Sequence, residues 1–145
     1  MVAARKSINS GLTGRRQTWF SSSALLAVLL AGYGVAMFVG THIPKVPVPL
    51  PGQSDKLVHL TAYGGLAVLL MAWQCSRRRV GLTRLLVMWL LLAGYGAFDE
   101  ITQPFVGRVS DLHDWLSDLT GSAIGLAVAW PIASRLLRSI SSETP

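Results

Sequence analysis

The sequence predicts an all-α membrane protein with four transmembrane helices in a small bundle. Three observations predict it. Hydrophobic residues make up 51% of the 145 residues and charged ones only 14%, where a soluble chain carries about a quarter charged, and the mean hydropathy is +0.46. Apolar runs recur at residues 19–40, 55–75, 85–103 and 114–133, and a helix of roughly 20 residues crosses the ~30 Å hydrocarbon core. Lysine and arginine fall in short clusters beside those runs instead of being spread over a surface.

Residues 1–18 are polar and basic, with Arg5, Lys6, Arg15 and Arg16. Arg15-Arg16 ahead of an apolar run faintly suggests an export signal. No convincing small-x-small cleavage site follows and further apolar runs do, so a retained first span is the better reading. That span is uncharged. Trp19 and Phe20 suit a membrane interface, and Gly32, Gly34 and Gly40 would allow close helix approach. Pro44, Pro47, Pro49 and Pro51 then predict an extended loop. Ser54 is placed to cap the second span, and Asp55 suits the positive end of its dipole. Arg77, Arg78, Arg79 and Arg84 separate the second and third spans. Asp99-Glu100-Ile101-Thr102-Gln103 closes the third span, and a turn over residues 104–113 leads into the fourth. Trp73, Trp89, Trp115 and Trp130 near span ends are expected as interface anchors. His42 and His113 are expected as interfacial loop residues, and the glycines Gly94 and Gly96 as packing devices. The predicted organisation is a basic tail (1–18), a membrane domain (19–134) and a short tail (135–145).

Charge placement orients the bundle. The tails and the middle loop carry Arg5, Lys6, Arg15, Arg16, Arg77, Arg78, Arg79, Arg84, Arg135 and Arg138, against Lys45, Lys56 and Arg108 on the other side. The positive-inside bias puts both termini in the cytoplasm and the two remaining loops outside. The net charge of +6 is therefore a topology signal, and no recognition motif for nucleic acid accompanies it. The lone Cys75 forms no internal disulfide and reads as a small apolar residue at a helix end.

The residues that could carry chemistry collect at the outward face. Asp55, His59 and Tyr63 are spaced i, i+4, i+8 and form one polar stripe. Asp99 and Gln103 share a face of the third helix, while Glu100 is turned about 100° from Asp99. Asp99 is expected to face the fourth helix. Asp114, Asp118, Gly121 and Gly125 fall on one face of the fourth, carboxylates above and small residues below, so the carboxylates should point into the bundle. Carboxylates so close need a proton, a metal, Lys56 or Arg108 to compensate them, and Arg108 offers a planar fork for carboxylate or phosphate. Tyr63 is expected to anchor a hydrogen bond, and His59 to be a neutral histidine bonded to a carboxylate. Without a His-Glu-x-x-His motif or clustered cysteines, no metal site or cofactor is expected. Serine elbows, phosphate-binding glycine loops and nucleotide motifs are also missing.

Asp55-Lys56-x-x-His59-x-x-x-Tyr63, with Asp99-Glu100-x-x-Gln103, Gly107-Arg108, Asp114 and Gly121, resembles the paired signatures of the VanZ-like membrane proteins, named for teicoplanin resistance. The resemblance spans roughly residues 19–133. Asp118 departs from it, standing where the pattern often carries asparagine. The resemblance implies a small integral protein of the bacterial cell envelope, in the cytoplasmic (inner) membrane, with a role in glycopeptide antibiotic resistance as one member's phenotype. It supplies no reaction.

Ionisable groups in spans are candidates for function and equally for interhelical glue. The bland alternative for Asp99, Arg108 and Asp114 is a structural ion-pair network joining the third and fourth helices. The preferred functional reading is an outward polar pocket binding an amphipathic or lipid-linked envelope molecule among membrane lipids. Its residues are Asp55, His59, Tyr63, Asp99, Glu100, Gln103, Arg108, Asp114 and Asp118. The alternative is a membrane enzyme acting on a lipid-linked or phosphorylated substrate, disfavoured by the lack of a nucleophile. A proton or ion carrier ranks last and would require an oligomer. The topology predicts that fluorescent-protein fusions at either terminus light up in the cytoplasm, while alkaline phosphatase fused there stays inactive. Phosphatase activity from a C-terminal fusion would reverse the orientation.

Overall fold

The computed structural model describes residues 23–43 and 53–142. It contains four helices, all long and apolar enough to cross a membrane: α1 (Ser23–His42), α2 (Gln53–Arg77), α3 (Leu82–Thr102) and α4 (Leu112–Ser142). The tail 1–18, Trp19, Phe20 and the prolines between α1 and α2 lie outside the described residues. Helix α2 begins at Gln53, so the backbone of Ser54 lies within its first turn. Helix α3 runs into a 3-10 turn, Gln103–Val106, with Pro104 at its start and Gly107 ending it at φ 77°. That left-handed conformation suits a residue without Cβ. Asp111 caps α4: its Oδ1 accepts the backbone N–H of His113 at 2.8 Å, satisfying a donor that the helix leaves open.

The most extensive interface is between α2 and α4, and glycine makes it. A Cβ on Gly121 would collide with the backbone carbonyl of Leu60, and one on Gly125 would lie 2.5 Å from the Gly64 oxygen and 2.9 Å from Ala67 Cβ. Backbones in membranes associate through such close van der Waals contact, since lipid is as apolar as leucine. Below the crossing, Leu66, Ala67, Leu70 and Met71 of α2, Met88 and Leu92 of α3 and Leu126 of α4 form one buried apolar cluster.

Helix α1 is peripheral, with none of its span in the buried class. It is pinned by polar contacts. The Tyr33 hydroxyl donates to the Ala62 carbonyl at 3.1 Å, and the Tyr95 hydroxyl donates to the Gly34 carbonyl at 2.7 Å. The expectation that glycines of the first span mediate close approach is corrected: Cβ atoms on Gly32 and Gly40 would meet nothing within 4 Å, and one on Gly34 only Tyr95 Oη at 3.9 Å. Gly94 is equally open, whereas Gly96 packs against Trp115 and Asp118. The tryptophans also differ from simple interface anchors. Trp89, Trp115 and Trp130 donate their indole N–H groups to the carbonyls of Leu119, Ala93 and Val80, at 3.2, 3.0 and 2.9 Å, so each ties one segment of the bundle to another.

A methyl group at Gly125 has no room unless α2 and α4 separate, and overpacking of this kind costs about 1–3 kcal/mol. Gly125→Ala should therefore lower unfolding stability in detergent by that amount, while Gly94→Ala should leave it unchanged or raise it. Equal effects would mean that the crossing is not held by close backbone contact.

Candidate functional site

One end of the bundle is polar. There α1 and α3 finish while α2 and α4 begin, so the chain delivers its ionisable residues from four segments to one place. His59, Asp99, Glu100, Gln103, Asp114 and Asp118 are all buried. They are not at the membrane surface alone: counting 1.5 Å per residue, His59 and Asp118 lie roughly 6 and 9 Å inside their spans.

The centre is a histidine–aspartate pair between α2 and α4. His59 is 3% exposed and Asp118 0%, and His59 Nδ1 lies 3.0 Å from Asp118 Oδ1. The other ring nitrogen, Nε2, is 3.9 Å from Asp114 Oδ2. Lys56 reaches Asp111 at 3.3 Å and Asp114 at 3.6 Å, the second an ion-pair distance beyond hydrogen-bonding range. The polar stripe predicted on α2 is present, since Asp55, His59 and Tyr63 all line one cavity. The predicted inward face of α4 is present too, with Asp114, Asp118, Gly121 and Gly125 all buried.

Adjacent residues on α3 diverge, as their angular separation requires. Asp99 turns towards α1. Its Oδ1 accepts the Thr41 hydroxyl at 2.7 Å and lies 3.6 Å from His42 Nδ1. Glu100 takes the opposite side: its Oε2 accepts the Asp111 backbone N–H at 2.9 Å and the Ser110 hydroxyl at 3.4 Å. The Gln103 amide donates to both, at 3.3 Å to Asp99 Oδ2 and 3.0 Å to Glu100 Oε1, a neutral group joining two carboxylates. The expectation that Asp99 faces the fourth helix is therefore corrected.

Arg108 does not join the carboxylates of α3 and α4 among the described residues. Its Nη1 donates to the Ile43 carbonyl at 3.4 Å, and its side chain lines the cavity with Asp55, His59 and Tyr63. The alternative of an Asp99–Arg108–Asp114 ion-pair network is not seen among the described residues: Thr41 and His42 stand at Asp99, and Lys56 and His59 at Asp114. The cavity measures about 400 Å³ and lies between α1 and α2, with Tyr33, Ala36, Met37, Val58 and Ala62 as its apolar wall.

Among the described residues, three buried side-chain polar atoms have no hydrogen-bond partner: Tyr63 Oη, Asp114 Oδ1 and Asp118 Oδ2. The expectation that Tyr63 anchors a hydrogen bond is thus corrected. Among the described residues, one donor atom each from His59, Glu100 and Asp118 also lie within 4.8 Å of one another, a spacing that could hold a cation. Outside the spans, Asp111 is held down at about 2, first by the backbone N–H and ring of His113 and then by Lys56.

The model of the VanZ/LLP1 family matches residues 16–137, most of the sequence and all four spans. The chain belongs to the VanZ/LLP1 family. No curated protein matches it, and neither does any solved structure. It is accordingly a multi-pass VanZ-family protein whose family-like residues form a buried acidic and histidine cluster. Sequence reasoning missed Thr41 and His42. His42 is no loop residue but ends α1: its Nδ1–H donates to the Phe38 carbonyl at 2.8 Å, its Nε2 pairs with the Thr102 hydroxyl at 2.9 Å, and its ring stacks on Phe38. The available signal was position, since the Thr41-His42 pair closes the first apolar run at the same membrane face as Asp55. His113, by contrast, is exposed.

The Thr41–Asp99 contact is testable by a double-mutant cycle with Thr41→Val and Asp99→Asn. Hydrogen bonds to charged groups contribute about 1.5–3 kcal/mol, so the two substitutions should couple by more than about 1 kcal/mol, whereas independent sites add to within about 0.5 kcal/mol. Additivity in thermal or denaturant unfolding would show that α1 does not hold Asp99.

Proposed function

We propose that this protein binds an amphipathic or lipid-linked molecule of the bacterial envelope at the polar end of its bundle. The observation that carries the reading is the cavity between α1 and α2. Its volume, about 400 Å³, falls in the range of small-molecule sites, roughly 300–1,000 Å³. Its two walls differ in chemistry as an amphiphile does. Tyr33, Met37 and Ala62 offer an apolar side. Arg108, His59 and Tyr63 offer a polar one. The Arg108 guanidinium supplies a planar fork suited to a phosphate or carboxylate, and the unpartnered Tyr63 hydroxyl supplies a donor. With the termini in the cytoplasm, this end faces the outer side of the inner membrane, where lipid-linked precursors of the wall are used. Altered access to such a precursor is the route by which teicoplanin-type susceptibility would change.

A second reading, catalysis on a lipid-linked or phosphorylated substrate, draws on the His59–Asp118 pair at 3.0 Å, a histidine and carboxylate arranged for proton transfer. The lack of a nucleophile weighs against it, and no turnover of lipid phosphates by the purified protein would remove it.

The test is mass spectrometry of protein released from native-lipid discs. Wild type should retain a specific molecule, and Arg108→Ala should lose it by at least about tenfold, or 1.4 kcal/mol, with helical content intact. Retention of the same molecule by Arg108→Ala would overturn the reading.

A further inference from the structure

We infer that His59, Glu100 and Asp118 form a binding site for one divalent first-row cation, Zn²⁺ above all, at the junction of α2, α3 and α4. The site shares His59 with the neighbouring cavity but requires no ligand there.

The three donors come from three helices and their atoms lie within 4.8 Å of one another. All three residues are at least nine-tenths buried, which separates this cluster from the exposed acidic groups common on surfaces. The donor set is one imidazole and two carboxylates, a combination that zinc accepts at about 2.0–2.2 Å. Hard cations such as Mg²⁺ and Ca²⁺ favour oxygen alone, so the imidazole selects against them. Two donors bound to one such cation sit about 3.0–3.4 Å apart. His59 Nδ1 and Asp118 Oδ1 already stand at 3.0 Å. Glu100 alone must close on them, exchanging part of its hydrogen bonding to Gln103, Ser110 and Asp111 for the cation.

Two observations independent of the spacing point to a missing partner. Asp118 Oδ2 is buried and makes no hydrogen bond. It rests over Gly96, where an added Cβ would come within 3.1 Å of it, and Gly96 is one turn before Glu100 on the same face of α3. The Tyr63 hydroxyl, one turn along α2 from His59, is likewise buried without a hydrogen-bond partner among the described residues. An ionised buried carboxylate without a counter-charge is strongly unfavourable. Lys56, the nearby lysine, is directed to Asp111 and Asp114. A divalent cation would balance Glu100 and Asp118 with neutral His59.

The surrounding groups are those that orient metal ligands. Metal-bound histidines usually present their other ring nitrogen to a carboxylate or carbonyl. With Nδ1 on the cation, His59 Nε2–H would face Asp114 Oδ2, now 3.9 Å away. Glu100 is steadied by the Gln103 amide at 3.0 Å and the Asp111 N–H at 2.9 Å. Sequence spacing could not reveal this set, because no two of its members lie on the same helix.

The test uses full-length protein in lipid discs, stripped with a chelator and titrated with Co²⁺, Zn²⁺ and Mn²⁺. Wild type and His113→Gln, which removes an exposed histidine, should each bind one Co²⁺ per chain, with visible d–d bands that vanish when Zn²⁺ displaces it. Glu100→Gln and Asp118→Asn should weaken binding by at least about tenfold, the lower end of what disturbed ligand shells produce. Circular dichroism would separate loss of binding from loss of fold. A wild-type protein without stoichiometric Co²⁺ or Zn²⁺ binding overturns the inference whether or not the variants fold, and so does unchanged affinity in folded Glu100→Gln and Asp118→Asn. Loss of binding in His113→Gln overturns it too. The readout requires no amphiphile, so failure here leaves the cavity reading standing, and failure there leaves this one.

Discussion

The site depends on the close crossing of α2 and α4. Leu60 presents its carbonyl to Gly121, and Gly64 presents its carbonyl to Gly125. His59 precedes Leu60 by one residue, and Asp118 precedes Gly121 by three. The backbone contact and the His59–Asp118 pair at 3.0 Å are therefore parts of one crossing. Side chains at the two glycines would push the helices apart and, with them, the imidazole from its carboxylate. Small residues that permit association in lipid thus also set the geometry of the polar cluster.

Once that crossing is made, charge compensation governs the rest of the polar end. Four carboxylates, Asp99, Glu100, Asp114 and Asp118, are buried together, and removing ions from water is unfavourable unless other groups replace the water. Each carboxylate meets a different set of partners. Asp99 uses Thr41 and His42 of α1, Glu100 uses the N-terminal cap of α4, Asp114 has Lys56 and His59 nearby, and Asp118 has His59. Gln103 joins the first two. Among the described residues, Tyr63, Asp114 and Asp118 each keep one buried polar atom without a hydrogen-bond partner, at the core of the bundle.

Helix α1 plays a different part. It contributes little buried surface and is held by hydrogen bonds from tyrosine, threonine and histidine side chains. A helix attached in this way leaves space beside α2, and the cavity occupies that space. The same Thr41 that secures α1 to Asp99 also lines the cavity, which couples the cavity wall to the carboxylate network through one side chain.

Much of this was written in the chain. Four apolar runs of spanning length determine four membrane helices, because an unpaired backbone in lipid leaves few alternatives. The i, i+4 spacing of His59 with Tyr63 and of Asp114 with Asp118 determines which residues share a face, because helical geometry is regular. Helix ends were less legible. Gln53 starts α2 and α3 continues into a 3-10 turn, since end geometry depends on local caps and on Pro104 and Gly107. Pairings between helices were not legible. Periodicity shows that Asp99 and Glu100 point in different directions, but not that Asp99 meets Thr41 or that Glu100 meets the Asp111 N–H. Periodicity also cannot show that Arg108 turns to Ile43 and the cavity instead of to the carboxylates. The sequence by itself determined the helices, their faces and the end of the bundle that holds the charge. Only the tertiary structure decided which charge meets which partner, because that depends on helix rotation and crossing, which close packing sets between residues far apart in the chain.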